Sequence, residues 1–247
     1  MSKVQFLEAA EAYLDYRRGD FDQAYARISK ALAIDVVLEE EYGYEILHLH
    51  RIQLLHNLVR SDARRMQFAS AIELACQLLG YLEGTSEVLP LSGSWGSEHI
   101  ARQPSELVAA MFGQITDEVA LILAGKNRQV KSELFAIAKR HIQLQANGNT
   151  RCHPQSHTWF LLKEAFVDND VATFLERASR FLAEGRGDTP LLWYAVVVDI
   201  VALCNQLDLP EEELFKREVA KDAVSFLNLP ERFVPLLRVP AKMLNHY

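Results

Sequence analysis

Tyr13-Leu14-Asp15-Tyr16-Arg17-Arg18-Gly19-Asp20-Phe21-Asp22-Gln23-Ala24-Tyr25-Ala26-Arg27-Ile28-Ser29-Lys30-Ala31-Leu32-Ala33-Ile34-Asp35 reads as the end of one helix, a tight turn and a second helix folded back on the first. Residues 5–18 form the first helix. On the second, Phe21, Ala24, Tyr25, Ile28, Ala31 and Leu32 recur at spacings of three and four, an apolar stripe for the first helix to cover. Gly19 takes the left-handed conformation that ends a helix without a Cβ penalty, and the Asp20 carboxylate caps the helix that follows.

Outward from that hairpin, residues 39–60 are helical in composition, with a stop and a new cap at Ser61-Asp62. The next helix puts Phe68, Ala69, Ile72, Ala75, Cys76, Leu79 and Leu82 on one face and ends near Gly84. Residues 84–104 are rich in Gly, Ser and Pro and carry Trp95 in Ser92-Gly93-Ser94-Trp95-Gly96-Ser97, a connection longer than compact helix pairs need. Ser105 caps a helix through Val108, Met111, Phe112, Ile115, Val119, Ile122 and Leu123, and another follows Gly125. A polar loop at 147–154 precedes a hairpin at 159–184. Residues 191–204, apolar almost all round, mark a helix enclosed by neighbours. A last full helix starts at Asp208 and Pro210 and runs through Val219, and Pro230, Pro235 and Pro240 break the tail.

The opening hairpin resembles the tetratricopeptide repeat. The matching residues are Ala12, the Gly19-Asp20-Phe21 turn, Ala24 and Ala31 at the close approach, Ile28 between them, and 32–35 at the end. Glu8 stands where that family has an aromatic, and Val36 replaces its terminal proline. An echo lies at 159–184, where Asn169-Asp170-Val171 stands for the turn and Arg177 for Arg27, while Phe174 and Phe181 replace the two alanines and call for a wider hairpin. The expected fold is all-α, with about ten helices packed as antiparallel hairpins, either a tetratricopeptide-like solenoid or an irregular bundle. Residues 1–247 are read as a single domain, with a subdivision near residue 150 as the alternative.

The 247 residues carry 26 Lys and Arg against 33 Asp and Glu, a formal charge of −7 that argues against a nucleic-acid surface. Cys76, Cys152 and Cys204 are odd in number and lack C-x-x-C spacing, as reduced cytoplasmic thiols do. The first eight residues lack the basic start and apolar core of a signal peptide, and 191–204, interrupted by Asp199, falls short of the roughly 20 residues of a membrane span. No membrane partner is expected, and the protein is placed in the cytoplasm.

The resemblance implies an inner face built from first-helix residues, here Glu8, Glu11, Asp15 and Arg18. With Glu39, Glu40 and Glu41, that face would receive a basic protein or peptide; the plainer alternative is the solvated face of an acidic protein. Trp95, on its Gly/Ser loop, is either an exposed anchor for a partner or a plug tucked into the protein. Glu41, Glu45 and His48 fall at i, i+4 and i+7 with E-x-x-H spacing, the weaker alternative of a metal centre, for which a second copy is missing. Cys152, His153 and His157 leave a zinc without a fourth ligand. No nucleophile elbow or phosphate loop is present, so no catalytic residue and no cofactor are expected. The leading reading is a non-enzymatic protein-binding module. Residues 51–79 and 161–166 look faintly like the all-helical immunity proteins of bacterial toxin systems. The alternative is a helical metal-dependent oxygenase using Glu45 and His48.

Overall fold

The computed structural model describes residues 3–89, 91–142, 154–207, 212–226, 229 and 233–237. Cys152, His153, Asp208, Pro210, Pro230 and Pro240 lie outside the described residues, as does most of the 147–154 loop. The fold is all-α: among the described residues there are twelve helices and no strand. Two compact units divide it, residues 1–119 with 134–153 and residues 120–133 with 154–247, so the chain changes unit within two of its helices as well as at residue 153.

In the first unit, α1 (Lys3–Arg18), α2 (Phe21–Tyr42), α3 (Leu47–Arg64) and α4 (Phe68–Leu82) pack successively, each on the next. The first turn forms as its residues dictate. Gly19 has φ +87°, and the Gln23 backbone N–H donates to the Asp20 carboxylate at 3.2 Å. Ala12, Ala24, Ile28 and Ala31 are buried between the helices. α2 runs well past Asp35, because residues 36–42 contain no breaker and the left-handed position comes only at Gly43, φ +70°. α3 likewise continues through Ser61-Asp62, both buried, and ends at Arg64; Met66, φ 64°, makes the reversal instead. Past α4, the expected long connection contains α5 (Ser97–Ala101). α6 (Ser105–Ala124) begins in this unit and ends in the other, and α7 (Arg128–Ala138) begins in the other and ends in this one.

In the second unit, α8 (Pro154–Val167) and α9 (Val171–Ala183) form the hairpin expected at 159–184, with Asn169 at φ 65° and the Thr173 N–H donating to Asp170 at 3.1 Å. Phe174 and Phe181 are buried where the first hairpin has alanines. α10 (Pro190–Leu207) packs against α8, α9, α11 (Glu212–Val224) and α12 (Phe233–Leu236), which explains its apolar circumference. Its one buried carboxylate, Asp199, meets two buried ammonium groups: Lys131 Nζ at 2.7 Å and Lys163 Nζ. At 18 residues α10 is longer than the apolar run 191–204 suggested. By length and composition, α6 and α10 would each reach across a membrane, and 61% and 50% of their most apolar windows are buried within the protein.

Candidate functional site

Two places in the first unit gather polar side chains. The first is the underside of the loop at 91–96. Arg51, fully buried on α3, has Nη2 2.6 Å from a Glu39 carboxylate oxygen, 3.1 Å from His48 Nδ1 and 2.6 Å from the Ser94 carbonyl. The Glu39 contact is an ion pair without hydrogen-bond alignment, since neither carboxylate oxygen has a hydrogen-bond donor. An arginine only donates, so His48 Nδ1 accepts and the ring proton sits on Nε2. Nε2–H then donates to Tyr81 Oη at 2.9 Å; Tyr81 donates to the Gly96 carbonyl at 3.0 Å and accepts from the Gly96 N–H at 3.2 Å.

This chain holds only if His48 is neutral. Burial, then the Arg51 and His99 charges, push its pKa down to about 3. Burial also raises the Glu39 carboxyl, against the opposing pull of Arg51. Trp95 closes the cluster: its indole N–H donates to the Leu91 carbonyl at 2.8 Å and its ring packs on His48 and Tyr81. Of the two readings of Trp95 from sequence, the plug is the one found. Gly93, φ +120°, lies so close that a Cβ there would overlap the Arg51 guanidinium.

Nitrogens of His48 and His99 and an oxygen of Glu39 lie within 4.8 Å of one another, a set of donors suited to a divalent metal. The Arg51 guanidinium already stands against two of them, so a metal ion would enter beside a buried positive charge. The expected set Glu41, Glu45 and His48 does not come together: α2 ends at Tyr42 and α3 starts at Leu47, so the three share no helix. Glu45 lies in the connection and pairs with Arg102 at 2.9 Å on the surface.

The second place is a small groove, open at its mouth, lined from α1 and α3 with Ile28 of α2 beside them. Ala9, Ala12, Tyr13 and Tyr16 form the α1 wall; Leu54, Asn57, Arg60 and Ser61 form the other. The helices run parallel, with the Phe6 and His50 rings 5.9 Å apart at one end and Arg60 over Tyr16, 5.2 Å from the ring centre, at the other. Small residues leave the space, and Tyr13 stands 58% exposed at the rim. Ser61 Oγ is buried without a hydrogen-bond partner.

The acidic inner face expected of Glu8, Glu11, Asp15 and Arg18 is not the groove wall. Glu8 pairs with Lys30 and, at 3.1 Å, with Arg27; Glu11 also pairs with Arg27, and Asp15 meets it at 2.8 Å. These acids face α2, and Arg18 approaches Asp15 at 3.9 Å. Positions equidistant from the turn meet in a hairpin, and Arg27 and Lys30 one turn apart opposite Glu8 to Asp15 were the sequence signal for this pairing. Arg51, Tyr81 and the Arg60–Ser61 end of the groove carried no motif.

No family model matches the chain, and no curated protein or solved structure matches it.

Proposed function

We propose that the protein is a non-enzymatic interaction module, cytoplasmic and tetratricopeptide-like in its first hairpins, that holds an extended segment of another protein in the groove between α1 and α3. The observation that carries this reading is the groove itself: two parallel helices between which small alanines leave space, with an exposed tyrosine at the rim and the unsatisfied Ser61 hydroxyl within. Aromatic and arginine side chains around a concavity supply most of the energy in protein recognition. The loop at 91–96 has the opposite character, since its aromatic is packed inward against an internally bonded cluster. The immunity-protein form of the reading rests on likeness of sequence in residues 51–79 and 161–166.

A photoreactive phenylalanine analogue at position 13, in extract of the cells that make the protein, tests this. Adducts with a discrete protein are expected at position 13, absent from the same analogue at Leu175 and lost when Ala9→Trp fills the groove. Adducts that ignore Ala9→Trp would contradict the reading.

A further inference from the structure

Building on the groove as the binding site, we infer that the segment it takes is acidic, the reverse of the charge expected from the sequence of α1. The carboxylates of α1 are turned to α2 and neutralised there by Arg27 and Lys30. No carboxylate lines the groove. At its Tyr16 end the charge is positive: Arg60 has no carboxylate partner among the described residues. Arg64 lies 5.9 Å from the same ring centre and donates to the Tyr16 hydroxyl at 3.1 Å. Beside Arg60, the buried Ser61 hydroxyl has a proton and no acceptor. A carboxylate brought in by a partner would take a charge-assisted bond from the Arg60 guanidinium, whereas a lysine or arginine would meet like charge.

Size fixes the rest of the ligand. From Ala9 to Tyr16 the groove wall spans seven residues of helix, roughly 10 Å, the length of about three residues in extended conformation. An apolar side chain of the segment would cover Tyr13, 58% exposed, and its acidic side chain would reach Arg60.

A displayed library of random peptides, selected on the full chain, reads the preference directly. Peptides enriched on the wild type are expected to carry Asp or Glu, to bind Arg60→Glu at least about tenfold more weakly, and to lose binding on Ala9→Trp. Selection on Arg60→Glu should favour Lys and Arg instead. Enriched peptides without acidic residues that still need an unfilled groove would overturn the acidic ligand and leave the groove standing. Enrichment indifferent to Ala9→Trp, or no enrichment at all, would overturn both. Arg60→Gln, which removes charge without reversing it, separates loss of attraction from introduced repulsion, and far-ultraviolet circular dichroism of each variant establishes that it is folded.

Discussion

The guanidinium carbon of Arg51 lies 4.2 Å from the centre of the Trp95 ring. A buried cation is thereby stacked against the one aromatic of a glycine- and serine-rich loop, and the same side chain bonds to the Ser94 carbonyl. The loop is held by its underside. Trp95→Ala removes the stacking and the plug together, and should cost about 2–4 kcal/mol, read as a lowered urea midpoint. An unchanged midpoint would mean that the loop contributes nothing to the fold.

Gly93→Ala sets a Cβ against Arg51 at φ +120°, and should destabilise by about 1–3 kcal/mol. The cost should shrink by about 1 kcal/mol or more when the same change is made on Arg51→Ala, because the overlapped group is gone. Additive effects in that double-mutant cycle would place the strain elsewhere.

His48 and His56 are held neutral, with pKa values pushed down to about 3 and about 4, chiefly by burial and then by Arg51 and His99 for the first and Arg60 for the second. The unfolded chain takes up protons on these rings below about pH 6.5, whereas the folded chain refuses them until far lower. Stability should therefore be full above pH 6.5 and fall steadily as the pH drops toward 4. Urea midpoints at pH 7, 6 and 5 check this, and a flat profile would contradict the buried neutral imidazoles.

Asp199 faces two buried lysines, so its removal and theirs are not equivalent. Asp199→Asn leaves two ammonium groups without a counter-charge and should cost about 3–5 kcal/mol; Lys163→Met leaves the balanced pair of Lys131 and Asp199 and should cost less. Burial pushes Lys163 down to about 8, against the pull of Asp199. Between pH 8 and about 10.4 the unfolded chain holds a proton that the folded one has lost, so stability should rise across that interval. Thermal melts at pH 8 and 10 measure the rise, which Lys163→Met should abolish.

The parts of this fold legible in the sequence are those whose causes are local. Gly19-Asp20 and Asn169-Asp170 end and cap helices with side chains one turn away, and α6 follows its own period through residues that prove buried. Helix ends are less legible where the determining residue is less conspicuous: Gly43 ends α2 after a run without breakers, and Met66 has no local reason to be left-handed. The cluster beneath Trp95 joins Glu39, His48, Arg51, Tyr81 and Gly96 from α2, α3, α4 and a loop, and no spacing rule connects positions so far apart. The acidic residues of α1 pair with Arg27 and Lys30 of α2, and which face meets α2 follows from hairpin pairing rather than from α1 alone.

The account stands most directly on one titration: a fluorescent peptide taken from the library selection, bound to wild type and to Ala9→Trp at equal ionic strength. The prediction is saturable binding to the wild type, weakened at least about tenfold by the tryptophan that fills the space between α1 and α3. Equal affinity for the two folded proteins would contradict it, and would put the binding surface outside the groove.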